Sequence, residues 1–312
     1  MRVMVTGGAG YLGCTLVPML LEAGHDVVVL DSLRKGGQGL LACASSPLFR
    51  VVHGDIRDER VVREALAGVD VIIHLAAIVG FPACAKDPLL ARTTNVDGTL
   101  NLLRQRSPGQ PIIYPSSLSN YGTVVDQVCT EEMEPKPITL YGVTKFEAEK
   151  QLLESGNVVV FRPATAFGVS PQMRLDLLFN EFVYRAIKER FLLIYQPHYV
   201  RAFIHVGDIA RAMLFAIEHL DQMRDQIYNL GSESLNLTKR ELAHRIRAKV
   251  EFTLQISEDG EDPDKRNYRV DFSKLTKAGF RVEMGVDEGI EELIRAFSLV
   301  DVSGPFNNLA YV

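Results

Sequence analysis

The chain has 312 residues, 47% of them hydrophobic and 23% charged, with a net charge of −5. That is the make-up of a globular protein long enough to bury a substantial core. The acidic balance argues against a nucleic-acid partner, and no run of about 18 apolar residues is present to span a membrane. Four cysteines, Cys14, Cys43, Cys84 and Cys129, lie far apart with no C-x-x-C pair. They read as reduced thiols of a cytoplasmic protein, with neither a disulfide framework nor a metal site.

The opening Met-Arg-Val-Met-Val-Thr is too short, and too soon followed by glycine, to be a signal peptide. It reads as a buried strand over 3–6, and the mature protein is expected to start there. Thr-Gly-Gly-Ala-Gly-Tyr-Leu-Gly at 6–13 then leads into a helix over 12–23. Gly7, Gly10 and Gly13 allow a tight turn, close approach of backbone to phosphate and close helix packing. The loop thus offers backbone N–H groups and a helix N-terminus to a pyrophosphate. A second strand, 27–31, ends on Asp31, whose carboxylate can accept from a ribose diol and would repel a 2′-phosphate. That favours NAD over NADP, although Arg34 and Lys35 follow closely.

Further strands are predicted at 50–53, 71–75, 112–115 and 158–162, and helices at 58–66, 88–104 and 140–155. Several of these strands are apolar at every position, as strands covered on both faces should be. Repeated βα units predict an α/β protein with a Rossmann-type doubly wound parallel sheet. After residue 162 the rhythm changes. A loop at 168–174, a helix at 175–190, a strand at 202–206, a helix from Asp208 and a strand end at 228–231 are expected. A polar stretch at 251–272 contains a charged loop at 258–266, and a last helix covers 287–298. The expected division is a NAD-binding domain of 1–163 plus 203–231, with a smaller C-terminal α/β substrate lobe of 164–202 plus 232–312.

Tyr141 and Lys145, in Tyr-Gly-Val-Thr-Lys, lie one turn apart on one helix face. A phenol titrates near 10; the ammonium and an oxidised nicotinamide ring would both favour the phenolate and lower that value. The phenolate could then take a hydroxyl proton while hydride leaves for NAD, with Lys145 also holding the nicotinamide ribose.

Other motifs follow in order: Gly54-Asp55-Ile56, His74-Leu75-Ala76-Ala77, Asn95-Val96-Asp97-Gly98-Thr99, Ser116-Ser117 ahead of Tyr121-Gly122, and Arg201-Ala202-Phe203-Ile204-His205-Val206-Gly207-Asp208. With these the chain resembles, nearly end to end, the extended short-chain dehydrogenases/reductases of the nucleotide-sugar epimerase/dehydratase group. The resemblance implies a Ser117–Tyr141–Lys145 triad and a nucleotide-diphospho-sugar substrate. It places Tyr11 and Leu12 with the glycines at the cofactor, Asp55 and Ile56 at the adenine, and Leu75, Ala76 and Ala77 along the cofactor. Asn95 is expected there as a support between the fourth strand and the active-site helix. On the substrate side the resemblance points to Thr165, Asn180, Arg201 and either Arg266 or Arg269. It also implies a homodimer through 88–104 and 140–155, with Leu100, Leu102, Leu103, Phe146 and Leu152 as candidate apolar positions.

The departures narrow the reaction. Dehydratases of this group carry an Asp-Glu pair directly after the catalytic Ser/Thr, and the epimerase-reductases that act at C3 and C5 place a cysteine two before the loop tyrosine. Here Leu118 and Ser119 follow Ser117, so both chemistries lack their acid–base groups. What is left is 4-epimerisation through a 4-keto sugar, with the segment 78–84 lining the turning sugar. The alternatives are a 4-ketoreductase served by the same triad, and a catalytically silent dinucleotide sensor.

Overall fold

The computed structural model describes residues 1–257, 260 and 266–299. β1 (Arg2–Thr6) leads through the glycine loop into α1 (Gly13–Glu22), followed by β2 (Asp26–Asp31), β3 (Phe49–His53), α2 (Glu59–Ala65) and β4 (Val71–His74). Next come α3 (Phe81–Lys86), α4 (Pro88–Arg92), a π-helical turn at Thr93–Asp97, α5 (Gly98–Gln105), β5 (Ile112–Pro115), β6 (Thr123–Cys129) and α6 (Leu140–Ser155). The second half runs β7 (Val158–Pro163), β8 (Thr165–Phe167), α7 (Leu178–Lys188), β9 (Phe191–Tyr195), β10 (Val200–His205), α8 (Val206–Glu218), α9 (Leu220–Met223) and β11 (Gln226–Leu230). It closes with β12 (Asn236–Thr238), α10 (Lys239–Arg247), β13 (Thr253–Ser257), β14 (Asn267–Val270), α11 (Ser273–Lys277) and α12 (Val286–Leu299).

Seven strands form the main sheet in the order β3-β2-β1-β4-β5-β7-β11, every pairing parallel. Side chains alternate between its faces. Val3, Val5, Val29 and Ile73 pack in one core with Leu16 and Leu20 of α1 and Met213 of α8. Met4, Val28 and Ile72 pack in the other with Val62 of α2, Leu102 of α5 and Leu152 of α6. Both faces are covered, which is why the sequence of these strands is apolar without alternation. The strand order reverses between β1 and β4, so a crevice opens beyond their carboxyl ends, as in other doubly wound sheets.

The smaller lobe has its own core, in which the Phe167 and Phe179 rings stack at 4.1 Å and Phe203 meets Phe179 edge-on at 5.5 Å. Outside the main sheet the strands pair as β8-β10-β12, β9-β13 and β6-β14, the last pair packing on the main sheet's core through Cys129, Tyr268 and Val270. β10 pairs with β8 and β12, and its side chains divide between the two cores, Ala202 and Ile204 packing with the main sheet and Phe203 with the smaller lobe. The predicted charged loop at 258–266 lies outside the described residues except for Gly260 and Arg266.

The helix predicted over 88–104 is present as a continuous helical run, with a π turn between α4 and α5. Of the five apolar positions proposed for a dimer contact, Leu102 and Leu152 are fully buried in the sheet's core, and Leu103 packs against it. Those three cover the sheet; Leu100 and Phe146 stay half-buried. All four cysteines are buried free thiols. Among the described residues no helix is long and apolar enough to cross a membrane.

Candidate active site

A cleft of about 1330 Å³ lies between the carboxyl ends of the sheet and the smaller lobe. Gly7 takes a φ of +71°, and a Cβ there would stand 2.7 Å from the Ala76 nitrogen. A Cβ on Gly13 would strike the Gly8 main chain. Only bare backbone fits this turn, and it leaves Gly10, Leu12 and Gly13 lining the cleft at the N-terminus of α1. Those features fit a dinucleotide pyrophosphate. Tyr11 also lines the cleft, but its hydroxyl donates to the Gly168 carbonyl at 2.8 Å, and the Ser170 hydroxyl donates to the Tyr11 carbonyl at 2.7 Å. Its side chain ties the glycine loop to the smaller lobe, and burial pushes its phenol well up.

Asp31 borders the cleft and accepts from the Ala9 and Leu33 N–H groups at 2.9 and 2.8 Å. A carboxylate has about four lone-pair sites, so room is left for a ribose diol. Asp55 lines the far end, gripped by Arg57 at 2.9 and 2.6 Å, which holds its carboxyl below the usual range. Ile56, Leu75, Ala76 and Ala77 complete this wall.

Thr139 caps α6 by accepting from the Gly142 N–H at 3.1 Å, and a Cβ on Gly142 would crowd the Ser119 carbonyl at 3.0 Å. The missing side chain lets α6 close on the Ser117–Ser119 segment. As a result Ser117 and Tyr141 come together at the cleft wall. Lys145 is 3% exposed, with its Nζ 3.9 Å from the centre of the Tyr114 ring.

The sign of one expectation is reversed here. Burial raises the Tyr141 phenol above 10, against the opposing pull of Arg174, the Ser117 bond and Arg266. Burial also pulls Lys145 down to about 7, partly offset by Glu149. Desolvation disfavours both charged forms, and sequence spacing carries no measure of it.

Asn95 sits in the π turn with both ends of its amide engaged. Its Oδ1 accepts from the Ile78 N–H at 2.7 Å, and its Nδ2 donates to the Ile78 carbonyl and the Thr144 hydroxyl, each at 3.0 Å. It binds the segment after β4 to α6 and is buried behind the cleft wall. The extra residue of the π turn is what re-aims it.

A relay that sequence reasoning did not single out runs beside it. The Thr99 hydroxyl donates to the Asn95 carbonyl at 2.7 Å, so His74 Nε2 must donate to Thr99 at 2.9 Å. His74 Nδ1 then accepts from Thr6 at 2.7 Å, and Thr6 accepts from the Ala76 N–H at 3.1 Å. Polar residues ending apolar strands were the available signal.

On the substrate side Thr165 and Arg201 line the cleft. The two candidate arginines are placed differently. Arg266 lines the cleft and donates to the Ser119 hydroxyl at 2.6 Å, whereas Arg269 is exposed elsewhere. Asn180 is fully buried: it accepts from the Gly168 N–H and donates to the Arg174 carbonyl, each at 2.9 Å, so its amide serves the loop before α7. The Cys84 thiol donates to the Ile78 carbonyl at 3.3 Å and is pushed up to about 11 by burial.

Three features were not foreseen. Lys239, 2% exposed at the start of α10, lines the cleft near Arg201, and both cations approach the Tyr199 ring. Arg174 and Asp176 form an ion pair at the cleft. Behind Lys145, Glu149 pairs with Arg162 in full burial and also accepts from Asn120 at 2.9 Å.

The fold and the cleft together define an NAD-binding enzyme of the Rossmann type. The profile of the NAD dependent epimerase/dehydratase family matches residues 3–231, and the chain belongs to that family. It is 31% identical over 283 residues to a UDP-glucose 4-epimerase of Halalkalibacterium halodurans, covering 80% of this chain and 83% of the relative. It is 30% identical over 308 residues to the low-salt glycan biosynthesis protein Agl12 of Haloferax volcanii, covering 94% and 97%. The structure of Thermus thermophilus UDP-glucose 4-epimerase in complex with NAD superposes with a TM-score of 0.82 at 26% identity, covering 96% of this chain and 99% of that one. NAD is the cofactor of the family, and Gly7, Gly13 and Asp31 fit it.

Proposed function

We propose that the protein interconverts a nucleotide-diphospho-sugar and its C4 epimer through a 4-keto sugar, with NAD retained through the cycle. One observation carries this reading. Ser117 and Tyr141 both border the cleft, with Ser117 favouring the phenolate, while Leu118 is turned into the core and Ser119 accepts from Arg266. No carboxyl or thiol therefore follows Ser117 to remove water or a carbon-bound proton. The similarity to UDP-glucose 4-epimerases supports the same choice.

NAD would be held by Gly7, Gly10, Gly13 and Asp31 and would supply a reversible hydride acceptor for C4. Tyr141 as phenolate removes the C4 hydroxyl proton, and as phenol gives it back to the keto oxygen. Ser117 hydrogen-bonds that oxygen. The small apolar segment containing Ile78, Val79, Gly80 and Ala83 gives the sugar room to turn. Arg201, Lys239 and Arg266 meet the diphosphate, for which arginine offers paired donors.

The test is incubation of NAD-loaded protein with UDP-, GDP-, CDP- and dTDP-hexoses, reading C4 configuration by NMR. Conversion of one sugar without net NADH change is expected. Failure with all of them ends the proposal, and stoichiometric NADH consumption with a 4-keto sugar would replace it with the ketoreductase.

Lys239→Met is expected to weaken nucleoside diphosphate binding by about ten- to a hundredfold, the worth of one charged hydrogen bond. Nucleoside monophosphate binding should fall less. Calorimetry that finds equal diphosphate affinity in variant and wild type removes Lys239 from the site. We also infer a homodimer in the cytoplasm, joined through α4 and α6, where Leu89 is 74% exposed and Phe146 half-buried.

A further inference from the structure

Residues 168–176, between β8 and α7, form a loop that is closed on itself. Asn180 accepts from the Gly168 N–H and donates to the Arg174 carbonyl, each at 2.9 Å. Within the loop the Ser170 N–H donates to the Met173 sulfur at 3.3 Å, and the Ser170 hydroxyl accepts from the Gln172 N–H at 3.4 Å. Behind it Glu292 of α12 accepts from the Val169 N–H at 3.1 Å and from His205 of β10 at 2.9 Å. The loop is thus a firm part of the smaller lobe.

Its other side meets three loops of the NAD-binding half. Tyr11, in the glycine loop after β1, donates its hydroxyl to the Gly168 carbonyl at 2.8 Å, and the Ser170 hydroxyl donates back to the Tyr11 carbonyl at 2.7 Å. Pro171 lies on the segment after β2, where a Cβ on Gly39 would stand 3.4 Å from the proline Cβ. Arg174 lies on the segment after β4, where a Cβ on Gly80 would stand 3.1 Å from Nη2. β2, β1 and β4 are neighbours in the sheet, so the loop runs across the carboxyl ends of three adjacent strands. In doubly wound sheets a dinucleotide lies at those ends, with its pyrophosphate at the glycine turn.

We propose that residues 168–176 are a strap across the exit path of bound NAD, and that Tyr11 and Ser170 are the positioning residues that clasp it shut. Both clasp bonds join protein to protein and are buried. Lifting the strap breaks them, whether or not the cofactor is present. A barrier of that kind slows entry and exit alike, whereas a direct contact to NAD slows exit alone. The inference deepens the proposed epimerisation, which needs the cofactor held until the sugar has turned, and it rests on that reading for its purpose only.

The test is exchange of carbon-13-labelled NAD, loaded on the protein, against excess unlabelled NAD, followed by native mass spectrometry. Calorimetry on cofactor-free protein gives Kd beside it. Tyr11→Phe, which keeps the ring, and Ser170→Ala should each exchange about tenfold faster, the scale of one buried hydrogen bond. The double variant should be faster still, while Kd moves by less than about threefold. Exchange at the wild-type rate in both variants overturns the inference. So does faster exchange with Kd raised in the same proportion, since the two residues would then only shape the glycine loop for binding. If Tyr11→Phe fails to fold by circular dichroism, Ser170→Ala breaks the clasp from the other side and carries the test. Exchange needs no sugar. A clasp that controls it in protein that epimerises nothing leaves this inference standing and sinks the proposed reaction; a working epimerase whose variants exchange like wild type sinks the clasp alone.

Discussion

Tyr141→Phe is expected to lower kcat by about a thousandfold, within the range for loss of a general acid–base group, while NAD stays bound. The substitution removes one hydroxyl and keeps the ring that fills the wall between Ser117 and Lys145. Gly7, Gly13, Asp31 and Asp55, which shape the cofactor end, make no contact with that hydroxyl. The Ser117 hydroxyl still accepts from the Ser119 N–H at 3.1 Å and keeps its place. Turnover should therefore fall without a matching loss of cofactor, read by native mass spectrometry beside steady-state rates. A variant within tenfold of wild type would show that another group moves the proton. Loss of NAD together with activity would mean that the phenol holds the cofactor wall together.

The main sheet was legible because its strands are covered on both faces and are written in valine and isoleucine. The glycine loop and the Tyr141–Lys145 spacing were legible because backbone clearance and helical period act locally. Less local features were hidden. β6, β8 and β9 pair with strands distant in sequence, and nothing in short mixed segments such as Thr-Ala-Phe announces a partner. The π turn depends on Asn95 reaching Ile78 and Thr144 at once, which a smooth helical pattern conceals. The family resemblance pointed to Asn180 as a substrate contact, yet its amide is engaged by Gly168 and Arg174. Arg174 in turn gains its position from that clamp. The raised Tyr141 phenol follows from burial, a property of the assembled cleft that neighbours in sequence do not report.

The His74 relay leads to the other large effect, on stability. His74 is fully buried, and burial, with Lys145 adding to it, pulls its imidazole down from 6.5 to about 3. Between those two values the unfolded chain binds a proton that the folded protein refuses. Stability therefore falls as pH drops through this window and is fully present above about 6.5. The whole shift is worth up to about 5 kcal/mol, and about 3 kcal/mol of it is lost by about pH 4. That is a large part of the 5–15 kcal/mol typical of folded domains. His74→Gln should remove this term, since its carbonyl can accept from Thr6 and its amide can donate to Thr99. Urea unfolding across the acid range should show a flatter loss in the variant, with the two curves converging above pH 6.5 except for a constant packing cost. Parallel losses in wild type and variant would place the acid sensitivity elsewhere, in carboxylates such as Asp55 that Arg57 holds below their usual range. The same proton, once forced onto His74, would turn an acceptor of Thr6 into a donor and break the chain that fixes the Ala76 N–H. Loss of NAD affinity is thus expected to accompany the loss of stability in wild type, and to be delayed in His74→Gln.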